Sequence, residues 1–250
     1  MKCRSIWPLA LAITMLTAAP APAEDAAENG TAEARAEMVR LVEMEGRLIG
    51  EATGVGELDP RVLEAMAAVP RHAFVPEPLR PYAYEQHPLP LGHDQNLAAP
   101  FLAALMTHLA RVKPGDVVYE TGTDTGYQAA VLSRLAGRVY SQEVIEPLAA
   151  AATEILSGLG YDNIEVRAAD GYYGWREHAP YDAIIIKEAI DHVPAPLIAQ
   201  LKTGGRLVMP LGPARGPQYL TVVVKGEDGQ VTGQRVLPVR FSPLQGGERT

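Results

Sequence analysis

The sequence predicts an α/β domain: a mostly parallel, doubly wound sheet with a hairpin at its C-terminal edge. Three observations carry that reading. Between residues 117 and 211 short apolar runs alternate with helical segments, the pattern of parallel strands joined by crossover helices. One run, Ala183-Ile184-Ile185-Ile186, has no polar alternation, as a strand covered on both faces requires. Finally, residues 219–225 and 231–239 flank the turn Glu227-Asp228-Gly229-Gln230 and read as a hairpin.

The elements follow in order. Lys2 and Arg4 precede an apolar run at residues 6–19, which is shorter than the roughly 20 residues a bilayer span needs. Ala21-Pro22-Ala23 then supplies small residues at the cleavage-determining positions. Residues 1–23 therefore read as a secretory signal peptide, with export to the periplasm or medium and no stable membrane insertion after cleavage. Residues 24–30 are acidic and Ala-rich and read as a disordered lead-in, which extends to residue 37; residues 38–250 read as the folded domain. Residues 31–49 have helical spacing, and 50–56 form a Gly-rich break. Asp59-Pro60 places a capping acid before a proline at the first helical position, with Val62, Leu63 and Met66 on the apolar face. Residues 70–100 are proline-rich and read as loop and extended chain, and 101–109 as a helix. Strands are expected at 117–119, 138–142, 164–167, 183–186 and 207–211. Helices are expected at 126–135, 147–159 and 195–201. Met38, Met44 and Met66 are expected in the core.

Without residues 1–23 the 22 basic residues become 20 against 30 acidic, and the net charge moves from −8 to −10. Such a surface argues against nucleic acid as a partner. The only cysteine, Cys3, leaves with the signal peptide, so the fold needs no disulfide.

The chemistry gathers at strand ends. The run Val117-Val118-Tyr119 ends in Glu120, and the turn Gly122-Thr123-Asp124-Thr125-Gly126 opens a helix. Glycines there let a ligand approach the backbone beside a helix N-terminus. Asp124 stands where turns of this type usually carry a third glycine. Glu143 ends the next strand, placed to bond ribose hydroxyls, and Asp170-Gly171 follows the third, within reach of an adenine edge. Three acids at three successive strand ends describe an adenosyl ligand rather than a diphosphate, and no P-loop lysine is present. Taken singly, each acid also reads as a cap for the following helix.

Several ordered segments resemble the protein-L-isoaspartate O-methyltransferase family. They include Val69-Pro70-Arg71-His72-Ala73-Phe74-Val75-Pro76, Ala83-Tyr84-Glu85, Pro88-Leu89-Pro90-Leu91-Gly92 and residues 120–130. Gly160-Tyr161-Asp162-Asn163, Asp170-Gly171-Tyr172, and residues 179–185, 201–207 and 237–244 continue the resemblance, which spans roughly residues 38–244. It implies a class I methyltransferase fold using S-adenosylmethionine and a protein or peptide carboxylate as substrate. It also implies that Glu120, Gly122, Asp124 and Gly126 lie along the cofactor turn, with Glu120 and Gly122 at the methionine part. Glu143 is then at the ribose, and Asp170 and Gly171 at the adenine. The substrate loop implied by the resemblance is Asp94, Gln95, Asn96 and Ala98.

This loop departs from the family pattern Gly-x-Gly-Gln-Thr-Ile-Ser. Gln95 is retained, but Asp94, Asn96 and Ala98 replace glycine, threonine and the serine that supplies the family's active-site hydroxyl. A lost hydrogen bond to a charged group removes roughly 1.5–3 kcal/mol. A further departure is Lys187-Glu188-Ala189-Ile190-Asp191-His192, where small neutral residues are usual, and Asp124 is a third. Methyl transfer to a carboxylate is the leading expectation. The alternatives are a non-catalytic relative that holds an adenosyl ligand or partner, and a metal-dependent enzyme using His93, Asp94, Glu188, Asp191 and His192. His72 reads as structural, and the sequence offers no partner for His108 or His178. The sequence carries no signal for oligomeric state.

Overall fold

A computed structural model describes residues 23–246. The signal peptide reading falls almost wholly on residues outside that range. Among the described residues no helix is long and apolar enough to cross a membrane.

Among the described residues seven strands form one sheet, in the spatial order Ile164–Ala168, Arg138–Glu143, Val117–Thr121, Tyr181–Ile186, Leu201–Leu211, Gln218–Lys225 and Val231–Val239. β3 (Val117–Thr121), β4 (Arg138–Glu143), β5 (Ile164–Ala168), β6 (Tyr181–Ile186) and β7 (Leu201–Leu211) are parallel. β8 (Gln218–Lys225) and β9 (Val231–Val239) complete the edge as an antiparallel hairpin. The chain moves outward from β3 through β4 to β5, then returns to the other side of β3 with β6. That reversal opens a crevice beyond the carboxyl ends of β3 and β6, where open α/β sheets bind ligands.

Strand pleating divides the core into two layers, because successive side chains face opposite sides of the sheet. Val118, Ile185 and Val208 point to one layer, with Met66, Phe74, Leu105, Val131 and Leu132. Tyr119, Ile184, Ile186 and Leu207 point to the other, with Tyr140, Trp175, Tyr181 and Leu197. The first layer is covered by α1 (Ala23–Thr53), α2 (Pro60–Ala68), α3 (Pro100–Ala110) and α4 (Tyr127–Ser133). α5 (Glu146–Gly158) connects β4 to β5, and α6 (Ala195–Gln200) precedes β7. Asp59 caps α2 as expected, its Oδ1 accepting from Arg61 N at 2.9 Å, with Pro60 at the first helical position.

Several expectations are corrected. The segment read as a disordered lead-in is continuous with α1, which also runs on to Thr53. Ala and Glu there have high helix propensity, and that outweighs their low hydrophobicity. The proline-rich stretch contains a small hairpin, β1 (Leu89–Gly92) with β2 (Gln95–Leu97). Its connection is His93-Asp94, both residues in the left-handed region (φ 54° and 57°), which is the two-residue turn whose twist suits paired strands. β7 begins at Leu201, six residues earlier than expected, because its first part pairs with Tyr181 before a bulge. Met44 is exposed, while Met38 and Met66 are buried. His72 shares a hydrogen bond with Tyr84 Oη at 2.6 Å. His108 does have a partner, since its Nδ1 accepts from Asp59 N at 3.1 Å. His178 stacks on Tyr140 with ring centroids 3.8 Å apart.

Candidate active site

The crevice is built where β3 and β6 end. Glu120, on β3, is fully buried. Its Oε1 accepts from Ser141 Oγ at 2.7 Å, while Oε2 has no partner among the described residues. Burial pushes the Glu120 carboxyl up to about 7, against the pull of Lys187 and the Ser141 hydrogen bond. Thr121 Oγ1 donates to Glu188 Oε2 at 2.6 Å, so the ends of adjacent strands are tied across the crevice. Burial likewise raises Glu188 to about 7.

The turn after β3 runs close to these acids. Gly122 has φ +65°, and a Cβ there would collide with the Glu188 carboxyl. Only glycine meets both conditions. Asp124 occupies the left-handed region at φ 52°. Its backbone N–H donates to Glu143 Oε2 at 2.9 Å, and its carboxylate faces Lys187 Nζ at 3.4 Å. Burial pulls the Lys187 ammonium down, but Glu120, Asp124, Glu188 and Glu143 together hold it above its ordinary value. Asp124, which stands where a third glycine is usual, is therefore half of an ion pair. Gly126 starts α4 with φ +99°, where a Cβ would lie 2.9 Å from Leu156 Cδ1. Its role is the close approach of α4 to α5.

Glu143 is nearly buried, and its carboxylate also accepts from Ile145 N at 2.9 Å. With Thr121, Gly122, Gln142, Gly171 and Glu188 it lines a narrow cleft that also includes Gln95. Gly171 must be glycine, since a Cβ would stand 2.6 Å from Thr121 Cγ2. Asp170 does not line the cleft: its Oδ1 accepts from Tyr172 N at 3.0 Å, and the chain at Gly246 packs against its carboxyl.

Beside the cleft lies a cavity of about 170 Å³. Gln95, Asn96 and Ala98 line it, together with Asp124, Lys187, Glu188, Arg240 and Ser242. Arg71 holds this loop from behind. It is fully buried, and its guanidinium donates to Ala83 O at 2.8 Å and Ala98 O at 2.7 Å. Asp94 sits apart on the exposed turn of the β1–β2 hairpin. The residues weighed for a metal do not converge: among the described residues no three His, Cys, Asp or Glu side chains form a metal-holding group. Asp191 and His192 pair with each other at 2.8 Å, and His192 reaches Tyr172 Oη at 3.0 Å. Sequence reasoning placed Arg240 and Ser242 in a segment that carries the resemblance but assigned them no site, because they come from the chain after β9. It also gave Lys187 no role.

The residues suit an adenosyl sulfonium ligand with an amino-acid tail. Glu120 Oε2 is a buried acceptor without a partner among the described residues, and Gly122 and Gly171 bring bare backbone to the wall of the cleft. The fold and this site define a class I S-adenosylmethionine-dependent methyltransferase. The chain belongs to the protein-L-isoaspartate(D-aspartate) O-methyltransferase family, whose model matches residues 44–249. Protein-L-isoaspartate O-methyltransferase 1 of Cupriavidus necator is 51% identical over 221 residues, 88% of this chain and 85% of that protein. Protein-L-isoaspartate O-methyltransferase 2 of Syntrophobacter fumaroxidans is 48% identical over 237 residues, 95% of this chain and 96% of that protein. A solved protein-L-isoaspartate O-methyltransferase superposes with a TM-score of 0.74 at 28% identity, over 85% of this chain and 66% of that one.

Proposed function

We propose that this protein transfers a methyl group from S-adenosylmethionine to a carboxylate of a protein or peptide, the isoaspartyl α-carboxylate being the substrate its family membership points to. The observation that carries the reading is the junction of two spaces. The cleft at Gly122, Glu143 and Gly171 and the cavity at Asn96, Ala98 and Arg240 share Gln95 and Glu188. A donor in the first therefore abuts an acceptor in the second.

When bound, the cofactor would supply a methyl carbon on a sulfonium: breaking the S–CH3 bond as an O–CH3 bond forms would leave a neutral thioether and a methyl ester. An ionised carboxylate is already a nucleophile, so no general base is required. The protein's task is alignment and exclusion of water. Glu120 Oε2 would offer an acceptor for the ammonium end, Glu143 would hold the ribose, and Gly122 and Gly171 would present bare backbone to the cofactor. Arg71 fixes the position of Ala98, and Gln95 stands between donor and acceptor. The test is transfer of labelled methyl to a synthetic isoaspartyl peptide, with the aspartyl peptide as control. Tight S-adenosylhomocysteine binding without transfer to either would overturn the enzyme reading.

The reading extends to location. Residues 1–23 serve as a signal peptide, so repair occurs outside the cytoplasm. The mature protein should begin at Glu24 in the exported fraction; an intact N-terminus in the cytoplasmic fraction would refute export.

A further inference from the structure

The acceptor has an electrostatic problem that the cavity must solve. A carboxylate that attacks must enter ionised, yet Asp124 and Glu188 stand in the cavity wall. Like charges at close range raise the cost of bringing it in. Two cations line the cavity, Lys187 and Arg240. Lys187 is committed: its side chain is only 7% exposed, it pairs with Asp124 at 3.4 Å, and Glu120, Glu143 and Glu188 also act on it. Arg240 is exposed, and among the described residues its guanidinium has no hydrogen bond and no acidic partner within 4.0 Å.

Among the described residues, Ser242 is the sole hydroxyl-bearing one lining the cavity. Ala98, on the loop, offers none. The backbone around Ser242 is pinned on both sides. Its carbonyl accepts from Ala189 N at 2.8 Å, and Leu244 N donates to Ala189 O at 2.9 Å. On the other side, Phe241 N donates to Gln218 Oε1 at 2.7 Å, and Phe241 O accepts from Gln218 Nε2 at 3.2 Å. A side chain on so fixed a backbone presents its hydroxyl at a defined place. No hydrogen bond to another described residue occupies that hydroxyl.

We propose that Arg240 and Ser242 together seat the acceptor carboxylate. The guanidinium neutralises it with the paired donors that planar carboxylates favour, and the Ser242 hydroxyl donates to one oxygen. The segment after β9 thereby supplies what the β2 loop lacks at Ala98. This inference rests on the methyl-transfer reading above.

The test is initial-rate kinetics on an isoaspartyl peptide for the full chain and its R240Q, R240K and S242A variants. Calorimetric affinity for S-adenosylhomocysteine is measured alongside. R240Q should raise the peptide KM about tenfold or more, R240K should recover part of the loss, and S242A should raise KM a few-fold. S-adenosylhomocysteine affinity should stay within about twofold of the unaltered chain. A peptide KM in R240Q within about twofold of the unaltered chain overturns the inference while leaving the methyl-transfer reading intact. A parallel collapse of S-adenosylhomocysteine affinity also overturns it, because the residues would then be structural. Absence of transfer by the unaltered chain overturns the parent reading and this inference with it.

Discussion

Glu120 is a place where binding and stability pull in opposite directions, and Glu120→Gln separates them. In the folded protein the Glu120 carboxyl titrates at about 7, against 4.5 for the ordinary group. One unit corresponds to 1.36 kcal/mol, so the ionised form costs the fold about 3 kcal/mol at pH 8. The sign follows from the raised value. Below pH 4.5 the group is protonated in both folded and unfolded chains and costs nothing; as pH rises towards 7 that stability is lost. Glutamine keeps an acceptor for Ser141 Oγ and carries no charge. The substitution also removes one of the acids that hold Lys187 charged, and Glu188 titrates in the same range, so the gain is a fraction of the full figure. A stabilisation of about 1–3 kcal/mol at pH 8 should raise the melting temperature by roughly 3–10 °C in a chain of this size. Melts of the ligand-free protein and variant at pH 5 and pH 8 read this directly, and the gain should shrink markedly at pH 5. S-adenosylhomocysteine affinity should fall at least about tenfold, because an amide N–H₂ or an uncharged oxygen then faces the ammonium. A lower melting temperature at pH 8, or the same gain at both pH values, would refute the claim that an incompletely compensated buried carboxylate is kept for binding.

Three further substitutions probe the same frame. Lys187→Met leaves Glu120, Asp124, Glu143 and Glu188 without their shared cation, and should destabilise by about 3–5 kcal/mol at pH 8. The loss should be smaller at pH 5, where Glu120 and Glu188 are protonated, and urea titrations at the two pH values measure it. Gly171→Ala brings a methyl to 2.6 Å from Thr121 Cγ2, and should cost about 1–3 kcal/mol in thermal melts while weakening S-adenosylhomocysteine binding. Asp59→Ala removes the α2 cap and should cost about 1 kcal/mol. The Arg61 guanidinium lowers the Asp59 carboxyl, so the capping contribution is present above pH 3.8 and disappears as pH falls through the lowered value; melts at neutral and strongly acid pH would show the variant converging on the parent.

The sheet was legible because parallel strands are covered on both faces and so appear as continuous apolar runs, as at Ala183-Ile184-Ile185-Ile186. The cap at Asp59-Pro60 and the turn glycines were legible because their backbone demands few other residues. The β1–β2 hairpin was not. Prolines at 88 and 90 suggested loop, and its turn uses His93-Asp94 in a conformation that Asn-Gly usually signals. Asp94 therefore looked like a charge added to a substrate loop, when it is a turn residue on an exposed tip. The segment at residues 237–244 carried the resemblance, but the place of Arg240 and Ser242 was illegible for a different reason: they reach the cavity from the far end of the chain, after the sheet edge, and nothing local marks that return.

Asp124 and Lys187 show most clearly what a sequence withholds. They lie 63 residues apart and read as two unrelated departures, one an unwanted acid in a cofactor turn, the other a base after an apolar strand. The β3–β6 register places Thr121 opposite Ile186, so the residues that follow each strand emerge side by side. A carboxylate in the turn would raise the local negative charge beside Glu120 and Glu143; a lysine there alone would be buried without a counterion. Each is costly by itself, and together they form an ion pair at 3.4 Å. The left-handed backbone at residue 124 is one that aspartate tolerates better than most non-glycine residues. The two departures are thus one substitution in physical terms, and it preserves the charge balance that the cofactor turn requires.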